Sequence, residues 1–362
     1  MSTLFDSDYY RVYDDLITHT SQHETLDQPP PLTPTGVLLD AYERSGNLME
    51  NCERMLFTGV EGDVYNPSPP FGEGLIAARY ESRDSEASQV GFFRHTHDAD
   101  NEATWQYDST ASNLEQLREG RISQDPSVAY VQGQYVVTVV DVVFCGPDSD
   151  PTSESSYSSV IYAGEDLQQL ELVTEGPRFM KGVRVVELAD GRAGVFTRPQ
   201  AAGESTKGGR GKIGFTTVDQ LSDITADIIT EAPLLDDLFG TDEWGGVNQA
   251  TLLPGGRLAV LAHIARFVPH DTIKNFREYY PLFFVFDPES GEISDRQIIG
   301  KREALTGEYP SKRLDLYNVL YPAFLLLGEN KTLVGVGVSD TEVATYKIDT
   351  PKAVREALEI AA

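Results

Sequence analysis

One hairpin pattern returns five times along this chain, and few folds can be built from five copies of one hairpin. The clearest copy is SQDPSVAYVQGQYVVTVVD, residues 123–141. It has an acidic start, a β-branched strand, a tight turn at Gln132-Gly133-Gln134 and a second apolar strand ending in a charge. The same order appears in NPSPPFGEGLIAARYES from Asn66, KGVRVVELADGRAGVFTR from Lys181, NQATLLPGGRLAVLAHIAR from Asn248 and LYPAFLLLGENKTLVGVGVSD from Leu320. The turn glycines Gly74, Gly133, Gly191, Gly256 and Gly328 lie 59, 58, 65 and 72 residues apart. This period exceeds the roughly 40 to 50 residues of common blade repeats and leaves room for two further strands per copy. Some of those are legible as SQVGFFRH, ATWQYD, YSSVIYAG, QLELVTEG, GKIGFTTVDQL and YYPLFFVFDPESG. Four-stranded sheets packed radially around a channel leave only short edges. The expected fold is therefore an all-β, five-bladed β-propeller with an N-terminal arm and a short C-terminal helix; a β-sandwich with long loops is the alternative.

With 362 residues the chain exceeds the usual size of a single core, which allows two domains or one large all-β unit. The recurrence favours one domain over residues 53–362, preceded by an arm over residues 1–52. No apolar run is long enough to span a membrane, and the N-terminus lacks the order of a signal peptide. Cys52 and Cys145 are too few for a disulfide framework, so free thiols and a cytoplasmic location are expected.

The net charge is -28, with 57 acidic residues against 29 basic ones. Such a field repels nucleic acid and anionic lipid. The acids are spread through loops such as residues 148–154 and lysine is scarce, the pattern of a halophilic surface that works where salt screens charge strongly.

Taken in order, the proline-rich QPPPLTPTG (residues 28–36) is expected to be extended, with a short helix over residues 37–49. Residues 53–60 read as a strand that completes the last blade by pairing with the C-terminal chain. TPKAVREALEIAA reads as an amphipathic helix with Thr350 as cap and Pro351 at its first position. His95-Thr-His97-Asp-Ala-Asp offers two histidines beside two carboxylates, but as a loop without a third anchor it gives no metal site. The stretch Ala202–Lys212 is not a P-loop; Arg210 and Lys212 could hold an anion there, or the segment is a plain connector.

If each first strand is the innermost of its blade, the residues opening it reach one mouth of the channel, where the second strands end. The first set comprises Asn66, Asp125, Lys181, residues 243–248 with Glu243, Trp244 and Asn248, and Arg313 with Asp315. The second comprises Arg79, Asp141, Arg198, His263 and Asp340. Convergent acids, bases and one indole make a pocket suited to a polyhydroxylated ligand, with Trp244 as a stacking platform. Alternatively, the charges pair with one another and close the channel.

These residues carry a resemblance. Residues 58–348 resemble the propeller family described as domain of unknown function 1861, through TGVEGDVYNPSPPF, QDPSVAYVQG, RFMKGVRVVELADGRAGVFTRPQ, GGRGKIGFTT, EWGGVNQATLL and KRLDLYNVLYP. More distantly, the order NP, R-x-E, DP, a blade-opening lysine and a final LDLYNVLYP…GVGVSDTEVA is similar to glycoside hydrolase family 130, the β-mannoside phosphorylases and their relatives. That similarity implies inverting cleavage of a β-mannoside-like bond by phosphate or water, with Asp125 of the DP motif as proton donor. It also implies Lys181, Arg198 and His263 as phosphate ligands, with Arg184 nearby. Gly182 stands where the family often has an acid, which leaves substrate orientation at that blade open.

The residues alone agree with this chemistry. Inverting cleavage needs a protonated acid and either a base that activates water roughly 6.5 to 9.5 Å away or an anion that attacks directly. Asp125 opens a buried strand, where desolvation and neighbouring carboxylates are expected to raise its pKa. Glu243 or Asp315 is the candidate base of a hydrolase, and Asn66, Arg79, Trp244, Asn248 and Asp340 are candidate sugar ligands. No GxSxG elbow or activated cysteine is present. No cofactor or metal is expected beyond inorganic phosphate as co-substrate, and the expected partner is a small carbohydrate. The other reading is a carbohydrate-binding or scaffolding propeller without turnover.

Overall fold

The computed structural model describes residues 33–46, 49–98, 100–143, 156–199 and 210–361. The chain is all-β with a few short helices. Helix α1 (Pro34–Ser45) precedes β1 (Glu50–Thr58), and four antiparallel groups follow. The first is β2 (Asp63–Tyr65), β3 (Leu75–Glu81), β4 (Gln89–His97) and β5 (Ala103–Tyr107). After the single-turn α2 (Leu114–Leu117) comes the second group, β6 (Ile122–Val131), β7 (Gln134–Val143), β8 (Ser156–Gly164) and β9 (Glu171–Glu175). The third is β10 (Arg184–Glu187), β11 (Ala193–Thr197) and β12 (Gly214–Val218), flanked on its outer edge by residues 233–235. Helix α3 (Ala226–Glu231) leads to the fourth, β13 (Glu243–Leu252), β14 (Leu258–Phe267), β15 (Arg277–Phe286) and β16 (Ile293–Ile298). A fifth group, β17 (Asn318–Leu326), β18 (Lys331–Val338) and β19 (Glu342–Asp349), takes its fourth strand from the start of the chain, because β1 pairs antiparallel with β19. Helix α4 (Lys352–Ala361) follows.

Alternation along the strands explains how these groups pack. Phe284 and Phe286 of β15 meet Phe196 and Phe215 of the third group, while Phe283 and Val285 meet Leu320 and Val334 of the fifth. Ala77 and Phe92 pack against the second group; Ile76, Ala78 and Phe93 turn the other way to Ala323 and Phe324 of the fifth. Val136 and Ile161 join the second group to Val185 and Val195 of the third. Each sheet is thus apolar on both faces, as a sheet with neighbours on both sides must be. The five interfaces run from the first group round to the first again, so the groups close on themselves.

The ends differ from the expectation in detail. Helix α1 begins at Pro34 rather than at residue 37, because Thr33 accepts a hydrogen bond from the Gly36 N–H at 3.2 Å and Pro34 needs no donor at the first position. Leu38 and Tyr42 bury this helix against the third and fourth groups. At the other end Thr350 does not cap α4: its hydroxyl lies 2.9 Å from Thr332 Oγ1, and the Pro351 carbonyl accepts from Val354 instead. Asp295 Oδ2 accepts from the Ala353 N–H at 3.1 Å. His95 and His97 lie on β4 as exposed strand residues rather than in a loop, with His95 against Trp105. Among the described residues no three metal-ligating side chains cluster, and no helix is long and apolar enough to cross a membrane. Cys145, residues 148–154, most of the glycine-rich stretch and the first 32 residues lie outside the described residues.

Candidate functional site

A shared backbone irregularity builds the site. In β6 the pairing slips by one residue between Gln124 and Ser127, in β13 between Val247 and Gln249, and in β17 between Pro322 and Phe324. In the first group, Tyr65 pairs with Arg79 but Ser68 bonds to Ala77, so one residue is again extra. Such a bulge re-aims a side chain out of the alternating pattern. Asn66 and Asp125 occupy these bulges with φ of 48° and 46°, a left-handed conformation that Asn and Asp tolerate best among residues with a Cβ, and each is followed by proline. Asp340, in the turn between β18 and β19, has φ 57°.

These bends bring side chains from all five groups to one cavity of about 130 Å³. Asn66 and Arg79 come from the first group, Asp125 from the second, Lys181, Arg184 and Arg198 from the third, His263, Arg277 and Tyr279 from the fourth, and Tyr321 and Asp340 from the fifth. A water-sized neighbouring space is lined by Asn66, Asp125, Arg184, Asn248 and Tyr321. Arg198 is seated on glycine. A Cβ on Gly246 would lie 2.6 Å from its Cδ, one on Gly211 2.7 Å from its Nε, and that Nε donates to the Gly245 carbonyl at 2.6 Å.

Among the described residues five cations and two carboxyls line the cavity, so this lining is positive inside a protein whose net charge is -28. The two carboxyls have opposite proton affinities. Burial pushes Asp125 up, but Arg79 at 3.7 Å, Lys181 and a 2.9 Å hydrogen bond from Asn66 Nδ2 outweigh it and hold the carboxyl below the usual range. Asp340 has no hydrogen-bond or ion-pair partner among the described residues. Burial and the charge of Asp125 raise its pKa in spite of Arg79 and Lys312. His263 is held neutral, well below the usual imidazole value, by burial and then by Arg198, Arg184 and Lys181. Behind Arg79, the buried Glu81 accepts from Arg79, Lys312 and Tyr65 and anchors the guanidinium.

A family model described as "Protein of unknown function (DUF1861)" matches residues 41–353. The chain belongs to that family. Among solved structures, this DUF1861 chain is 29% identical to the mannose phosphorylase MPT-4 of Leishmania mexicana in complex with phosphate ion. That match covers 89% of this chain and 94% of the other, with a TM-score of 0.74. The GDP-Man-dependent mannosyltransferase MPT-1 of the same organism is 25% identical over 88% and 95% of the two chains, TM-score 0.73. A hypothetical protein from Leishmania major is 27% identical over 87% and 94%, TM-score 0.70. No protein of curated function matches the sequence.

Several expected site residues of this DUF1861 chain stand elsewhere. Glu243 does not face the cavity: it is 1% exposed and accepts from the Thr35 N–H at 3.0 Å and the Gly240 N–H at 2.8 Å. Burial pushes its pKa up, but these donors prevail and keep it ionised, so it anchors the start of α1. Asp315 is held by Arg277 at 2.6 Å and Arg313 at 3.1 Å, one layer outside the lining. Trp244 is buried, donates to the Tyr279 hydroxyl at 2.9 Å and packs on Phe267 beneath Arg210, so it offers no stacking face. Asp141 pairs with Arg118 and Arg121. Asn248 lines the water-sized neighbouring space rather than the main cavity and bonds to His263, whose Nδ1 lies 2.8 Å from its Oδ1. The expectation of a raised Asp125 pKa is reversed, because Arg79 and Lys181 are its nearest charges rather than another acid; Asp340 carries the raised value. Arg277, Tyr279 and Tyr321 were not legible. They reach the cavity because β15 and β17 run parallel at Glu278–Asn318 and Tyr279–Val319.

Proposed function

We propose that this protein is a carbohydrate-active enzyme, a single five-bladed β-propeller over residues 53–362 with an arm over residues 1–52. It cleaves a β-mannoside-like bond with inversion, using inorganic phosphate as the attacking group. The observation that carries this is the cavity's pairing of a cation cluster with two carboxyls of opposite proton affinity. Environments that push two titratable groups apart divide acid from base roles. The phosphate-bound mannose phosphorylase and the mannosyltransferase among its relatives support the substrate class.

In this mechanism Lys181, Arg184, Arg198 and Arg277 hold phosphate, whose oxygen attacks the anomeric carbon as the glycosidic C–O bond breaks. Asp340, in the form that burial favours, gives its proton to the leaving oxygen. Asp125 stays ionised and, with Asn66 and Arg79, orients sugar hydroxyls. Phosphate is favoured over water because Lys181, Arg184, Arg198 and Arg277 line the cavity together and suit an anion, while neither Glu243 nor Asp315 faces it as a base. The sugar is small, nucleic acid is not a partner, and the enzyme works in a salt-rich cytoplasm.

The test is incubation with β-mannosides in molar KCl, with and without phosphate. Release of a sugar 1-phosphate only when phosphate is present is expected. Free sugar in equal amount without phosphate would make it a hydrolase, and binding without product would leave a carbohydrate-binding propeller.

A further inference from the structure

Among the described residues the cavity contains one imidazole, and its hydrogen bonding bears on which anion can be bound. His263 is 3% exposed, stacked on Tyr279 with centroids 5.5 Å apart and planes 18° apart, and flanked by Tyr321 at 5.4 Å. The ring is therefore fixed. Its Nδ1 meets the carboxamide oxygen of Asn248, which only accepts, so Nδ1 carries the hydrogen. Among the described residues no carboxylate bonds to the ring, and its nearest charges are Arg198, Arg184 and Lys181, all cationic. A neutral imidazole has one N–H. Nε2 is then a bare lone pair, without a hydrogen-bond partner among the described residues, on a ring that lines the cavity beside the three cations.

We infer that His263 Nε2 is an obligate acceptor within the anion site and selects anions that still carry a proton, so the site takes monohydrogen phosphate in preference to sulfate. This rests on the reading of Lys181, Arg184 and Arg198 as the phosphate cluster. Monohydrogen phosphate and sulfate are dianions of similar size, so the cations alone cannot separate them. Phosphate has one O–H to donate to Nε2. Sulfate has none, and would set an oxygen lone pair against a nitrogen lone pair in a buried site. An unsatisfied pair of this kind discriminates more strongly than a lost contact does. Donation from the P–OH also leaves the unprotonated oxygens for the cations and for attack.

The test is calorimetric titration of the whole protein with potassium phosphate and potassium sulfate at pH 8 in a fixed KCl background. Phosphate should bind about tenfold or more tightly than sulfate. Asn248→Ala, which frees the proton to move to Nε2, should bring the two affinities to within about threefold while phosphate still binds. If that variant does not fold, nitrogen NMR of the wild-type imidazole, assigned by difference from His263→Gln, reports the same state. An unprotonated Nε2 is expected, and a protonated one overturns the inference. Equal wild-type affinities overturn it too, yet leave phosphorolysis standing if sugar 1-phosphate forms. Tenfold discrimination with no sugar product would uphold the anion selectivity and sink the enzymatic reading. Binding of neither anion would end both.

Discussion

Exchanging Asp125 or Asp340 for asparagine should slow turnover by about two to four orders of magnitude, but the two variants should diverge in stability. The raised pKa of Asp340 means that its contribution to folding is present below the ordinary carboxylate range of about 4 and is lost as pH rises through the folded value. Asp340→Asn should therefore melt higher than the wild type at pH 7. Asp125, with a lowered pKa, contributes above that range and loses its contribution as pH falls. Asp125→Asn should be less stable at pH 7, by about 1–3 kcal/mol, because Arg79 keeps Glu81 but Arg79 and Lys181 lose the carboxylate between them. If Asp340 is the acid, the alkaline limb of kcat/KM disappears in Asp340→Asn and survives in Asp125→Asn. A matched fall in both melting temperatures would remove the acid assignment. Asn66 and Asp125 were legible because each precedes a proline at the start of a strand pattern, a combination that marks a bulge. The sign of the Asp125 shift was not, since it depends on Arg79, Lys181 and Asn66, which arrive from two other groups.

Short elements fix the side chains that do the chemistry. Gly246 in β13 leaves space for Arg198, so Gly246→Ala should displace that guanidinium. The KM for phosphate should rise about tenfold to a hundredfold while the far-UV spectrum is unchanged. An unchanged KM would mean that Arg198 does not hold phosphate. Glu243 ties β13 to the first turn of α1, and Glu243→Gln should lower stability by about 1–2 kcal/mol while activity per folded molecule is retained. A loss of turnover in the stably folded variant would restore the general-base assignment. Sequence pattern placed Glu243 and Trp244 at the head of the correct strand. It could not report that α1 covers the outside of that strand, or that the Tyr279 hydroxyl occupies the indole N–H.

At the scale of the molecule, the hairpin recurrence located the strand groups because two-sided burial writes near-continuous apolar runs such as YYPLFFVF and QYVVTVVDVV. The parallel contact between β15 and β17 leaves no such periodic mark, so the site's aromatic members went unseen. The charge of -28 carries a separate expectation: the melting temperature should be lower in dilute buffer than in molar KCl, where self-repulsion is screened. An unchanged value between the two would remove the salt-adapted reading.

The pairing of β1 with β19 has a consequence for synthesis on the ribosome. A strand translated near the beginning waits for the partner translated near the end, across almost 300 residues, before the ring can be joined. Until then the part of β1 from Glu50 to Met55 lacks its β19 partner, although Leu56–Thr58 already pair with β5, and the cavity lacks Tyr321 and Asp340 until the fifth group has been made. A nascent chain stalled before the fifth group would expose the edge of β1 to chaperones or aggregation partners and would lack Asp340, the proposed proton donor, so assembly of the site is a late event in the life of each molecule.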